Sequence, residues 1–224
     1  MSSRALVIAI DGPSGAGKGT VSRAIARTLG YRHIDTGAMY RAVAWLALHE
    51  GLNLHDAAAI AARAARATID LGGTVVIDGH DVTSAIRTPA IDRAAAIVAQ
   101  HPTVRHLLVE RQRAYGLDGG VVMEGRDIGS VVFPAADVKV YLDATPEERA
   151  RRRSLDSAHA AGRETAGVQQ VAEALAARDR TDSTRTASPL VVPPGAVYID
   201  TTDVPIDEVV HRVRTLIDAK LAPA

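Results

Sequence analysis

Apolar positions along this chain follow two rhythms, and the switches between them mark out its elements. Ala5 to Ile10 is an unbroken apolar run of strand length, ending at a Gly-rich stretch that begins with Gly12. Beyond it, Val21, Ala24, Ile25, Thr28 and Leu29 recur at helical spacing. His33-Ile34-Asp35 reads as a short second strand. Thr36-Gly37 leads into a helix with Met39, Ala42, Val43, Leu46 and Ala47 on one face, closed by Gly51. Residues 56 to 66 form an Ala-rich helix. The period then changes: Ala67 to Leu71 and Thr74 to Ile77 are β-like, with Gly72-Gly73 and Asp78-Gly79 as turn signals, which predicts a small antiparallel sheet. Pro89 opens a helix to about Gln100, and Pro102 opens the next. Val121 to Glu124 and Val138 to Leu142 return to buried strands. Thr145-Pro146-Glu147-Glu148 has the form of a capping box with proline at the first helical position. The small-residue region Ala158 to Gly167 precedes a long helix from Val168. Pro193-Pro194 breaks the chain before a strand, Ala196 to Ile199. The last helix, Ile206 to Leu221, presents Ile206, Val209, Val210, Val213, Ile217 and Leu221 on one side and is predicted to serve core packing alone.

Strands alternating with helices predict an α/β domain with a doubly wound parallel sheet. Residues 1–59 and 117–224 form its core, and residues 60–116 read as an insertion. The 224 residues, 47% of them hydrophobic, suffice for a sizeable core. Lysine plus arginine and aspartate plus glutamate are equal at 26 each, so no general nucleic-acid or membrane surface is expected. Without cysteine, disulfides, thiolate metal sites and cysteine nucleophiles are excluded. The histidines show no ligand spacing, and no metal site of the protein's own is expected. No signal-peptide pattern and no apolar run of membrane-spanning length is visible, so a soluble cytoplasmic protein is expected.

Gly12-Pro13-Ser14-Gly15-Ala16-Gly17-Lys18-Gly19-Thr20 lies between the first strand and the first helix, with Gly12 and Gly17-Lys18 at the spacing of a phosphate-binding P-loop. Glycines let successive amides converge on one anion, the helix start adds its dipole, and Lys18 adds a mobile positive charge. A plain connecting turn would carry no such lysine. A Rossmann turn would have a third glycine where Thr20 stands. One departure matters: Gly19 occupies the position whose hydroxyl ordinarily meets Mg²⁺, and the hydroxyl comes one residue later, at Thr20.

Apart from Lys18, Lys139 and Lys220, every cationic side chain other than histidine is arginine. Much of that ratio follows from composition, so only arginines at telling positions count. Arg41 falls early in the second helix, and Arg126 follows the strand Val121 to Glu124. Arg149, Arg151, Arg152 and Arg153 precede the small-residue stretch, which suits either a solvated helix face or a phosphate-covering lid at about 150–167. Arg178, Asp182 and Arg185 share one helix face, a spacing that a self-paired surface ladder would also have. An alcohol acceptor of a phosphoryl group needs a carboxylate to take its proton. A monophosphate acceptor instead needs arginines to bring two polyanions together, and the candidates at 41, 126, 178 and 185 favour it.

Asp11 to Thr20, Asp35-Thr36-Gly37-Ala38-Met39-Tyr40-Arg41, Ile86-Arg87-Thr88, Glu124 to Pro134 and the stretch Arg178 to Arg185 together resemble the bacterial type of cytidylate kinase, in register from about Ile8 onward. The resemblance implies a P-loop NTPase fold with a five-stranded parallel sheet, a monophosphate-binding insertion and a short lid. It implies ATP and Mg²⁺ and phosphoryl transfer to CMP or dCMP; a monomer is expected. On the same ground Lys18, Arg126, Asp127 and Arg185 are the catalytic candidates, and the loop Gly12 to Thr20 with Arg152 and Arg153 would hold ATP. Arg41, Arg126 and Arg185 would hold the CMP phosphate, Arg178 and Asp182 the ribose, and Arg105 and Asp127 the cytosine edge. Thr36 and Tyr40 complete that acceptor set. Thr36 stands where relatives typically carry serine, Ala96 where some carry a base-contacting serine, and Glu124 where aspartate is common. Rival readings are a kinase for UMP or for a small alcohol such as shikimate or gluconate, and a nucleotide-binding switch without turnover.

Overall fold

The computed structural model describes residues 5–155 and 167–222. In chain order the elements are β1 (Val7–Asp11), α1 (Lys18–Leu29), β2 (Arg32–Asp35), α2 (Thr36–His49) and α3 (Ala57–Arg66). Three short strands follow, β3 (Ile69–Asp70), β4 (Val76–Ile77) and β5 (His80–Asp81), then α4 (Pro89–Val98) and α5 (Pro102–Tyr115). The chain continues with β6 (Val121–Gly125), β7 (Val138–Asp143), α6 (Pro146–Leu155), α7 (Val168–Thr184), β8 (Val197–Asp200) and α8 (Ile206–Leu221).

Local chemistry explains where the helices begin. The carboxylates of Asp35 and Asp56 accept the Ala38 and Ala59 amides at 3.0 and 2.9 Å and cap α2 and α3. Thr88 caps α4 ahead of Pro89. At α6 the expected capping box is half made. Thr145 Oγ1 accepts the Glu148 amide, but the Thr145 amide donates to Thr202 Oγ1, and the Glu148 carboxylate turns to Arg151 and Arg152. Two guanidinium groups outbid one backbone amide for that carboxylate.

Strands β2-β6-β1-β7-β8 form one parallel sheet, and β3-β4-β5 form a small antiparallel one. Alternate residues of β1 serve opposite faces. Ile8 and Ile10 join Val21 and Ile25 of α1 and Val209, Val213 and Ile217 of α8, while Ala9 packs with Ile34, Val109, Met123 and Ile128. Helix α2 is the wall between the main sheet and residues 60–116. Met39, Tyr40, Val43 and Ala47 pack with α3, α4 and α5, and Ala38, Ala42 and Leu46 pack with Val75, Ile77 and Val82 around the small sheet. The 59/60 boundary expected for the insertion falls inside α3.

Register brings the carboxyl ends together: Asp11 lies beside Gly125, and Asp35 beside Glu124. The chain turns there from β1 into the glycine loop and from β6 into Arg126-Asp127, so the crevice forms at the point where strand order reverses. The predicted lid falls mainly on residues 156–166, which lie outside the described residues. Helix α8 departs from expectation in one respect: Val209, Val213 and Ile217 are buried, but Ile206 is exposed, and with Val209 it borders the crevice. Its first turn carries the β8–α8 connection to the mouth of the sheet rather than over the core.

Gly12 is the tightest point of this arrangement. Its φ is +144°, and a Cβ there would lie 1.9 Å from the Leu142 carbonyl oxygen of β7. Both partners are backbone, so neither can yield. Gly12→Ala is expected to lower stability by about 2–4 kcal/mol, read as a fall in the urea unfolding midpoint with an unchanged slope.

Candidate functional site

One bank of the crevice is the glycine loop. Gly15 and Gly17 have φ of +83° and +87°, and the helix starts at Lys18. Lys18 is buried, and its Nζ donates to the Pro13 carbonyl at 2.7 Å, within the loop itself. Burial, reinforced by Arg126, lowers the Lys18 ammonium to about 7. The loop is braced from behind by Arg149, which reaches the Ser14 carbonyl at 3.2 Å and pairs with Asp179. Ser14 to Thr20 line the crevice, whereas Gly12 and Pro13 frame the loop beneath it. Gly19 contributes bare backbone, and the Thr20 residue is exposed.

Asp11, at the end of β1, is the hinge pin of the other side. Its carboxylate accepts the Ile128 and Gly129 amides, each at 2.7 Å. Those bonds fix the single helical turn Ile128–Val132 and with it the direction of Arg126-Asp127. Burial pushes Asp11 up to about 6, against the pull of the two amides. The sequence reading gave this residue no role, and an aspartate ending a strand carries no signal that would have supplied one.

The opposite bank collects the arginines. Asp182 lies between Arg126 and Arg185, at 3.1 Å from each. Arg105 pairs with Asp127, and its guanidinium sits 5.3 Å from the centre of the Tyr40 ring. Burial pushes the Tyr40 phenol up to about 12. Asp92 of α4, absent from the expected set, meets Arg41 at 3.1 Å, Arg153 at 2.7 Å and Arg178 at 3.5 Å. A lone aspartate on an Ala-rich helix gives no sign of this in sequence. Arg87 and Arg41 approach Asp35 at 3.2 and 3.9 Å. Burial alone would raise Asp35, but these two arginines and the Ala38 amide hold it below the usual carboxylate range. Arg178 and Arg185 lie below the ordinary arginine value through burial and then a neighbouring guanidinium, Arg126 for the first and Arg105 for the second.

These groups share one crevice of about 1300 Å³. Ten arginines and Lys18 line it against six carboxylates, an excess of positive charge that suits a polyanion. Among the described residues, buried nitrogens of Arg41, Arg178 and Arg185 have no hydrogen-bond partner within the protein. Donors of this kind call for a ligand.

Each expected site residue has a definite place. Arg41, Arg105, Arg126, Asp127, Arg178, Asp182 and Arg185 are brought together, with Tyr40 and Thr36 beside them. The Thr36 hydroxyl is spent on the Glu124 carbonyl at 2.8 Å. Arg152 lies at the loop bank, bonded to Glu148 and Thr201. Arg153, expected beside it, turns instead to Asp92. Ala96 lines the crevice without a polar atom in its side chain. The β8–α8 connection, including Thr201, Asp203, Val204 and Pro205, also reaches the crevice and was not foreseen. Its residues bear no motif and arrive there only through sheet order.

A glycine loop on one bank facing guanidinium groups on the other is the layout of a P-loop kinase. The fold is shared with shikimate kinase from Acinetobacter baumannii, solved with shikimate, which superposes with a TM-score of 0.50 at 16% identity, over 97% of this chain and 95% of that one. The chain belongs to the cytidylate kinase family, whose model matches residues 8–219. Cytidylate kinase of Pelotomaculum thermopropionicum is 46% identical over 95% of this chain and 96% of its own length. The Desulfitobacterium hafniense cytidylate kinase is 47% identical over 96% and 94%, and that of Geobacillus kaustophilus 45% over 97% and 99%. Among the described residues no helix is long and apolar enough to cross a membrane.

The lowered Lys18 value has a measurable consequence. Between pH 7 and 9 the unfolded chain keeps the Lys18 proton while the folded protein releases it, so stability rises with pH over that window and levels off below it. The rise attributable to Lys18 is about 2 kcal/mol, and urea titrations at pH 7 and pH 9 on the wild type and Lys18→Met should differ by that amount.

Proposed function

We propose that this protein transfers the γ-phosphoryl group of ATP to the phosphate of CMP or dCMP. The observation that carries the reading is the unsatisfied guanidinium set of Arg41, Arg178 and Arg185, which faces the glycine loop across one crevice. ATP lies on the loop Gly12 to Thr20, with Arg152 at its side. Arg41, Arg126 and Arg185 grip the acceptor phosphate, and Arg178 and Asp182 reach the ribose. Arg105 and Asp127, already paired, present a donor and an acceptor to the cytosine edge. A carboxylate beside a guanidinium complements the cytosine amine and its neighbouring acceptors, whereas uracil would set a carbonyl against Asp127. Residues 60–116 act as the acceptor-binding insertion against the core of residues 1–59 and 117–224, and the segment 150–167 acts as the lid. The protein works as a monomer in the cytoplasm.

Transfer is direct and in line, without a covalent enzyme intermediate. Lys18 exchanges the Pro13 carbonyl for the β- and γ-phosphate oxygens, and its charge is restored as the polyanion offsets burial. Arg126 and Arg185 sit where negative charge develops between the reactants. Because the acceptor is already an anionic oxygen, no general base is required.

The residues present fit a magnesium ion. With no side chain at Gly19, Glu124 Oε1 comes within 3.2 Å of where a Cβ would stand, beside the Arg23 guanidinium at 3.4 Å, and Glu124 offers a hard oxygen ligand. Asp35 is committed to its cap and to arginines, which leaves Glu124 as the carboxylate to hold the ion, directly or through water. When bound, Mg²⁺ neutralises the β- and γ-phosphate oxygens.

Steady-state assays with ATP, Mg²⁺ and a panel of CMP, dCMP, UMP, shikimate and gluconate test the reading. Saturable turnover is expected with CMP and dCMP; turnover on shikimate or gluconate alone would overturn it, as would tight nucleotide binding without turnover. Asp127→Ala should raise the KM for CMP by about 30-fold or more and that for ATP by about twofold at most. Lys18→Ala should abolish turnover while CMP still binds in calorimetry.

A further inference from the structure

Three features that are unrelated in sequence converge behind the glycine loop. Gly19 lacks the hydroxyl that usually follows the loop lysine, and the space a side chain would enter there is bounded on one side by Glu124 Oε1, 3.2 Å from an added Cβ, and on another by the Arg23 guanidinium, whose nitrogens lie at 3.4 and 3.5 Å. Glu124 is buried, and its Oε1 lies 2.9 Å from His33 Nε2. The same Nε2 lies 3.2 Å from Ser22 Oγ, whose hydroxyl donates to the Lys18 carbonyl at 2.6 Å. Hydrogen assignment follows from these partners. The Ser22 hydrogen is spent on Lys18, and a carboxylate only accepts, so the hydrogen shared by the three groups belongs to Nε2 of His33. His33 does not line the crevice; it stands behind Glu124 and ties β2 and β6 to the first turn of α1.

We infer that His33 is a positioning residue for the divalent cation: through Nε2–H it holds Glu124 Oε1 in the space left by Gly19, so that a buried carboxylate takes over the place of the missing loop hydroxyl. A glutamate has one more rotatable bond than an aspartate and needs such a partner to keep its oxygen on target. Donors to a ligating carboxylate typically govern metal affinity by 10–100-fold. The exchange is also mutual, because a serine at position 19 would crowd the carboxylate that His33 holds. The inference rests on the proposed nucleotide and metal binding at this loop, but not on the identity of the acceptor.

The test uses Mn²⁺ as probe, followed by electron paramagnetic resonance on the full chain with ADP and no acceptor. His33→Leu is expected to weaken Mn²⁺ in the ternary complex about tenfold or more and to leave metal-free ADP affinity within about twofold. His33→Gln, which keeps a donor at the Nε2 position, should recover most of the loss. Glu124→Gln should weaken Mn²⁺ comparably, and adding His33→Leu to it should cost little more. Unchanged Mn²⁺ affinity in His33→Leu would overturn the inference. So would equal loss of metal-free ADP binding, or additive losses in the double variant. Since no acceptor is present, a wild type that turns over CMP but shows no His33 effect refutes this role alone, whereas absent CMP turnover refutes the kinase reading alone.

Discussion

The structure depends on keeping a dense set of guanidinium groups, several of them buried, unneutralised enough to bind an anion yet paired enough to fold. Burying an unpaired charge costs several kcal/mol, so a cleft of bare arginines would unfold the protein. The solution is shared carboxylates. Asp92 meets three arginines, Asp182 two, and Asp35 two, so each carboxylate is divided while several guanidinium nitrogens stay free. The charge balance of the crevice lining is left short on the negative side.

That balance works only because the supporting backbone is fixed. Asp11 links β1 to the turn after β6 through two amides, Arg149 and Asp179 brace the glycine loop, and Asp35 both caps α2 and restrains Arg41 and Arg87. Each of these groups satisfies a local backbone need and an electrostatic one at once. Helix α2 adds a mechanical link, since one side packs on the insertion while its first turns carry Tyr40 and Arg41 into the crevice. Movement of residues 60–116 against the sheet would therefore move Tyr40 and Arg41 with them.

Asp92 shows how function spreads beyond recognisable motifs. It lies in α4, outside every motif stretch, yet it joins arginines from α2, α6 and α7. Arg153 follows it to the bank of Arg41 and Arg178, away from Arg152, its neighbour in sequence. A helix rotates adjacent side chains by about 100°, so two adjacent arginines can reach different sides of one crevice.

The sequence alone determined the strand–loop–helix at Lys18, the helix starts at Thr36, Pro89 and Pro146, the small antiparallel sheet and the family to which the chain belongs. Those features are written in local physics: hydrophobic period, capping side chains, glycine where φ must be positive, and motifs of fixed spacing. Only the tertiary structure decided that Asp11 aims the turn after β6, that Asp92 gathers three arginines, that the β8–α8 connection reaches the crevice, and that His33 backs Glu124 beside Gly19. These are contacts between segments 11 to more than 100 residues apart. Their geometry follows from strand order and register, which a one-dimensional pattern does not encode.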